Sequence, residues 1–448
     1  MRLTPTFHPQ KHTAVRQLTG WYWGGLILLA GLLPACSGQG VQITTEPLPL
    51  PTFALATSTP PLALTPEVTA AAPVTLTIWW PEPLAPVGDV EVAAVLSQQT
   101  NTFEATYTDV IVESRLKKPG DVGGIMETLR TASAVAPGAL PDLTLLRRED
   151  LLAAVQAGLV QPLEGLVSSA ILGDLYTAAL ELGQVDGQLY GLPYLLEVQH
   201  IAYWGDAPSG DYATFENVLA QKRPFVFPAS GADGISPVVL LQYLSAGGSL
   251  ADISVGEINE DALRAVLTFY EQAAKDEVVD ATILNYASYR DYLPALQDES
   301  VAAAVVPSSV YLNLGAQEQP LAFAPVPVQA GQPTTILNGW LWVMTAKNAN
   351  DRTAAANFLN WMVDVERQSQ YSQALHMLPS LRRGLRQIGI NAAYSDFVTQ
   401  LLGNAVLPVP ELSNSATARA IQNALTAVIS GQRTAVAATE EVLTQLSG

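Results

Sequence analysis

Residues 191–204 read Gly-Leu-Pro-Tyr-Leu-Leu-Glu-Val-Gln-His-Ile-Ala-Tyr-Trp, an apolar and aromatic run with one carboxylate, Glu197, near its middle. Pro193 fixes its own φ and keeps Leu192 out of helical conformation, so the segment is expected to be extended. A carboxylate inside an apolar strand is costly unless it is paired or solvated. Two placements meet that condition: an edge strand with Glu197 turned outward, or a crossing strand that passes a solvent-filled cleft. The second is favoured.

Upstream, Val74-Thr75-Leu76-Thr77-Ile78-Trp79-Trp80 alternates β-branched and apolar residues and stops at Pro81, which describes a short strand. A helical stretch over 89–107 and a strand over 109–113 follow. Val122, Ile125 and Leu129 then recur at helical spacing, Asp142 to Leu146 reads as a strand, and Leu151, Leu152, Val155 and Leu159 line a further helix. Strand and helix alternating in this way imply an α/β fold with a parallel sheet between helices. Ligands of such sheets bind beyond the carboxyl ends of the strands. The candidates there are Trp80 and Glu82 after the first strand, and Arg147, Glu149 and Asp150 after the third. Trp80 is equally a core residue by type. Glu149 and Asp150 also suit the first turn of a helix, where acids favour the macrodipole.

Downstream of about Asp206 the chain enters a second region. Phe225-Val226-Phe227 reads as a strand, and 238–246 and 261–274 read as helices. The apolar strand 301–306 runs into Pro307-Ser308-Ser309-Val310-Tyr311, where the two serines suit either a polyol ligand or an ordinary turn. Leu321 to Val328 is extended, and a strand through Gly339 and Trp340 would cross back to the first region. Ala355, Phe358, Leu359 and Met362 form the core face of a helix capped by Asn350 or Asp351. His200 and His376 read as satisfied structural histidines.

The 448 residues are 49% hydrophobic and 14% charged, enough for two or three packed domains. A formal charge of −19 repels phosphate backbones, so no nucleic-acid partner is expected. One cysteine excludes an intramolecular disulfide, and four scattered histidines argue against zinc; no metal and no cofactor are expected. No Gly-x-Ser-x-Gly, His-Glu-x-x-His or Gly-x-x-x-x-Gly-Lys pattern occurs, and nothing asks for an enzyme. Residues 1–20 carry Arg2, Lys11 and Arg16, and the apolar run Trp21 to Leu33 is too short to span a bilayer. It ends in Leu33-Pro34-Ala35-Cys36, which resembles the lipobox of bacterial lipoproteins. Residues 1–35 are then a signal peptide and Cys36 the lipidated N-terminus. The Pro-, Thr- and Ala-rich stretch 36–73 is a tether, able to reach roughly 110 Å at ~3.1 Å per residue.

Taken in order, several segments resemble the extracellular solute-binding proteins of ABC importers, in the family-1 branch that includes maltose-binding protein. They are Val74 to Trp80, Pro141 to Leu145 leading into Ala157 to Leu163, Val185 to Tyr194, Leu337 to Lys347, and the Leu378-Pro379-Ser380 turn. The resemblance implies a two-lobe periplasmic-binding-protein fold. Each lobe would be a mainly parallel sheet flanked by helices, with hinge strands between them. The lobes would comprise residues 74–198 with 338–368, and 199–337 with 369–448. It implies hinge closure over a carbohydrate and delivery to a permease driven by an ATPase, from a monomer anchored outside the bacterial cytoplasmic membrane. It maps Glu197 onto a ligand-contacting carboxylate and Arg147 to Asp150 onto a contacting loop. Tyr194, Trp340, Trp80 and Tyr311 are the stacking candidates, with Glu82, Glu149, Glu197, Ser308 and Ser309 for hydroxyl contacts. Leu146 stands where maltose-binding protein has an aromatic, so a different sugar, a polyamine or another solute remains open. So does a sensor or surface-interaction role without transport.

Overall fold

The computed structural model describes residues 72–120, 123–232, 234–316 and 321–447. The expected signal peptide, Cys36, nearly all of the tether, and Val122 lie outside them. The β-branched run Val74–Pro81 (β1) pairs in parallel with Val110–Lys117 (β2), Val74 standing opposite Val110 and Pro81 opposite Lys117. Between them runs the helix Val90–Thr106 (α1), which begins where the Asp89 carboxylate accepts from the Val92 N–H at 3.0 Å. On its other side β1 pairs, again in parallel, with Leu143–Leu146 (β3), which leads into Arg148–Gln156 (α2). Strand side chains alternate between faces. Leu76, Ile78 and Trp80 therefore join a cluster with Phe103 and Trp342, and Trp79 joins another with Ile125, Met126 and Leu129.

The apolar run of 191–204 is the 13-residue strand Gly191–Tyr203 (β4). Two sheets share it. Its first part, to Val198, pairs with Leu337–Met344 (β7) and with the short Leu378–Pro379 (β8). From Gln199 it pairs with Ala303–Pro307 (β5) and then with Ala322–Ala324 (β6). Thr335, fully buried, pins the changeover: its hydroxyl accepts from the Gln199 N–H at 2.9 Å and lies 2.8 Å from the Gln199 carbonyl. The sheet is mixed. Among the strands named here parallel pairing is confined to β1 with β2 and β3, and every pair involving β4 or β7 is antiparallel. The expectation of mainly parallel sheets gives way because β7 returns along the strand that leaves.

The second lobe packs on a core of its own, with Phe225, Phe227, Val239 and Tyr243 against Leu263, Val266 and Tyr270 of the helix Glu260–Lys275. Ile421, Leu425, Val428 and Val442 of the C-terminal helices complete it. Three sequence readings are corrected. Phe225 to Phe227 makes only an isolated bridge, Val226 to Ala304. The cap of the helix Ala349–Met362 is Asn348, which accepts from the Asp351 N–H, because the helix starts earlier than the apolar spacing suggested. Residues 369–448 do not all belong to the second lobe. Tyr371, Met377 and Leu381 sit in the core with Trp80, and Leu385, Tyr394 and Leu401 in the core with Trp79. The helix Val365–Ala374 (α4) is held there by apolar contacts that the sequence pattern does not assign to either lobe.

Two groups, one half-buried and one fully buried, set opposing pH dependences. The Asp142 carboxyl is pushed up to about 6 by burial and by the nearby Asp351 charge, against the Thr77 N–H that it accepts at 2.8 Å. His200, fully buried, is pulled down to about 4 by burial. Its Nδ1 lies 3.0 Å from the Ile201 carbonyl, so that nitrogen donates and Nε2 accepts from the Tyr394 hydroxyl at 2.9 Å. Asp142 takes up its proton more readily folded than unfolded, so its contribution is present below about pH 4 and is lost as pH rises through 6. His200 is the reverse, contributing above 6.5 and losing that contribution as pH falls toward 4. Thermal melts between pH 6.5 and 4 are therefore expected to fall more steeply for Asp142→Asn than for the wild type. They should fall less steeply for His200→Gln.

Candidate functional site

Side chains two apart on a strand share a face. That rule puts Glu197 with Gln199 on β4 and Asn338 with Trp340 on β7. The register places Glu197 opposite Asn338 and Leu195 opposite Trp340. The four side chains thus meet on one face of two adjacent inter-lobe strands. On β4 the residues from Gly191 to Tyr203 are buried except Glu197 and Gln199, which are half-buried. They look into a cavity of about 620 Å³ between the lobes. The first lobe supplies Pro83, Pro119, Gly120, Arg147, Glu149 and Asp150 to its wall, and the second supplies Tyr289, Arg290 and Pro307.

Arg147 follows β3 and stands at the N-cap position of α2, with its side chain over the crossing strands. Its guanidinium lies 3.5 Å from Glu197 and 4.8 Å from the centre of the Trp340 ring. From the other lobe, the Ser309 hydroxyl donates to the Glu197 carboxylate at 2.5 Å. Ser309 lies in the first turn of the helix Ser308–Ala316 (α3). Glu197 is therefore held by one side chain from each lobe, which offsets part of its desolvation. Trp340 is only 3% exposed, because it belongs to a first-lobe core cluster and the Arg147 guanidinium covers its ring. Tyr289 and Arg290 sit on a turn closed by a capping box between Ser288 and Asp291, with the Arg290 guanidinium 5.3 Å from the Tyr289 ring.

Of the residues singled out from sequence, the cavity unites Arg147, Glu149, Asp150, Glu197 and Trp340, with Ser309 bonded to Glu197. The others lie elsewhere. Trp80 is 1% exposed, edge-on to Trp342 at 5.0 Å, a core side chain because it shares the strand face of Leu76 and Ile78. Tyr194 is fully buried and stacked on Tyr371 at 5.9 Å, and burial holds its hydroxyl well above the usual tyrosine range. A register shift between Pro193 and Leu195 leaves Tyr194 without a cross-strand neighbour and turns it into the first lobe. Ser308 is buried and accepts from the Val198 N–H at 3.3 Å, which is structural work. Glu82 is exposed in a short turn whose next residue, Pro83, faces the cavity. Tyr311 packs against His200 and Tyr394 instead, at 5.2 and 4.4 Å. Sequence reasoning missed Gln199 and Asn338, for which the two-residue period from Glu197 and Trp340 was a signal. It missed Tyr289 and Arg290, for which there was none. Among the described residues no cluster of three or more His, Cys, Asp or Glu is able to hold a metal.

A family model described as bacterial extracellular solute-binding protein matches residues 98–383. The chain belongs to that family. The two-lobe architecture of this solute-binding protein is similar to that of solved structures. One is the maltose-binding periplasmic protein of Listeria monocytogenes in complex with maltose, at 16% identity and a TM-score of 0.64 over 83% of this chain and 96% of that one. Another is maltose-bound MalE3 of T. maritima, at 17% identity and a TM-score of 0.60 over 84% and 99%. A third is the cyclic alpha-maltosyl-1,6-maltose binding protein of Arthrobacter globiformis, at 18% identity and a TM-score of 0.61 over 84% and 99%. These likenesses concern the fold. Among the described residues no helix is long and apolar enough to cross a membrane.

Gln199→Ala and Asn338→Ala are each expected to weaken solute binding, by the ~0.5–1.5 kcal/mol of a neutral hydrogen bond. Glu82→Ala should leave binding unchanged, and isothermal titration of the three variants with a solute that the wild type binds checks this.

Proposed function

We propose that this solute-binding protein captures a carbohydrate in the cleft between its lobes and delivers it to the permease of an ABC importer. The observation that carries the reading is the joining of an aromatic face, a held carboxylate and two amide side chains in one cavity. These are Trp340, Glu197, Gln199 and Asn338. A sugar ring offers C–H faces for the indole and hydroxyls for the polar groups, and Tyr289 adds a second aromatic from the opposite lobe. The sugars named for the solved proteins of like fold support the same ligand class. Two guanidiniums, Arg147 and Arg290, offset two of the three carboxylates of the same cavity, Glu149, Asp150 and Glu197, so its charge does not single out a polyamine.

A ligand shifts the hinge only by as much as it prefers the closed arrangement. In the structure Arg147 lies over the Trp340 ring and on Glu197, so a stacking sugar has to move it aside and take over both contacts. In this reading the closed form is what the permease recognises. The protein acts as a monomer outside the cytoplasmic membrane, with residues 1–35 removed, Cys36 lipidated and 36–73 serving as the tether.

Titration of residues 74–448 with maltose, maltotriose and other neutral oligosaccharides is expected to show saturable binding. Glu197→Gln should weaken it about tenfold or more, since hydrogen bonds to a charged group are worth ~1.5–3 kcal/mol. Binding of spermidine with no response to any sugar would overturn the ligand class.

A further inference from the structure

A cavity of about 270 Å³ on the first lobe shares no lining residue with the solute cleft. Three segments build its wall. Tyr176 and Thr177 stand at the start of the helix Thr177–Leu182, and Arg382 and Arg386 belong to the single turn at Arg382–Leu385. Thr399, Leu402 and Gly403 share one face of the helix Ala392–Gly403.

The chain carries 41 acidic and 22 basic residues, and three carboxylates line the solute cleft. This wall has none. Three arginines fall within residues 382–386, and the fold sorts them. An isolated bridge between Leu175 and Leu381 sets the two segments side by side. Arg383 pairs there with Asp174 at 3.0 Å, so the nearby acid is already engaged. Arg382 and Arg386 line the cavity instead, and among the described residues neither has an ion pair. Like charges four residues apart on a helical turn repel, and an anion between them converts that repulsion into attraction.

The Arg382 guanidinium lies 5.5 Å from the centre of the Tyr176 ring, a contact that holds it in place. Tyr176 is 6% exposed. Burial pushes its hydroxyl above the usual tyrosine range, while the Thr399 hydroxyl and the charges of Arg382 and Arg386 pull the other way. Both positive charges therefore reach the same neutral phenol. Thr399 donates its own hydroxyl to the Ser395 carbonyl at 2.8 Å and supplies shape, with the buried Leu402 beside it. The donors for a ligand are the two guanidiniums and the hydroxyls of Tyr176 and Thr177.

We propose that this cavity binds a doubly charged tetrahedral oxyanion, phosphate or sulfate, free or at the end of an ester. Two guanidiniums match its two charges, whereas a single carboxylate leaves one of them uncompensated. Arg382, Arg386, Thr177 and Thr399 are exposed, so the ion enters from solvent without any movement of the lobes. The proposal does not depend on the identity of the cleft solute.

The test is calorimetry on the full chain at low ionic strength and pH 8, where phosphate has lost its second proton. Inorganic phosphate and methyl phosphate are the probes, and acetate is the control. Saturable binding of a phosphate probe, about tenfold tighter than acetate, is expected, and the tighter probe tells a free ion from an ester. Arg382→Gln and Arg386→Gln should each weaken it about tenfold or more, and Arg433→Gln, which removes the same charge elsewhere, should not. Both cavity arginines are exposed, so either change should leave the melting temperature in phosphate-free buffer unchanged. Phosphate should raise that temperature for the wild type and for neither cavity variant. Absence of saturable phosphate binding to the wild type, acetate binding as tightly, or an equal loss in Arg433→Gln overturns the proposal.

Discussion

One strand has to serve two sheets. Up to Val198, β4 is paired within the first lobe, and from Gln199 it is paired within the second. Pairing, packing and burial are strong on either side of that changeover. Only there does the strand keep half-buried polar side chains, Glu197 and Gln199. The long apolar run satisfies two cores, and the polar pair at its centre marks the gap between them. The cleft is what remains where neither core covers the strand.

The charge at that gap is not left to water alone. Arg147 arrives from the end of a first-lobe strand and Ser309 from the first turn of a second-lobe helix. A carboxylate bonded by both lobes makes their relative placement matter to its energy. Any solute that replaces the Arg147 contact alters the balance between open and closed arrangements by its own differential affinity. The same guanidinium covers Trp340, so the apolar and the polar parts of the cleft are screened by one movable group. Behind the hinge, His200, Tyr311, Tyr394 and Phe323 form an aromatic cluster joined by one hydrogen bond, which gives the crossing strand a stiff support.

Much of this was legible in the chain. A lone carboxylate in an apolar strand has few inexpensive placements, so Glu197 announced the cleft, and alternation in Val74 to Trp80 announced the first strand. The same alternation, carried one step further, puts Trp80 on the face of Leu76 and Ile78 and so in the core. An aromatic after a strand has two meanings, and only the face it shares tells them apart. Tyr194 was beyond reach, because a register shift at Pro193 decides where it points. Tyr289 and Arg290 were also silent: they reach the cleft through the folding of the second lobe, and no local period predicts that. The allocation of residues 369 to 402 failed for the same reason, since an amphipathic helix states that it packs but not on which core.

The central claim is that the lobes close about the β4 changeover onto a bound solute. Its most direct test is a spin-label distance across the cleft mouth, between cysteines replacing Lys118 and Ala287 in a chain whose Cys36 is changed to serine. A saturating sugar is predicted to shift the distance distribution to a shorter, narrower one. A distribution unchanged while calorimetry shows the sugar bound would contradict the account.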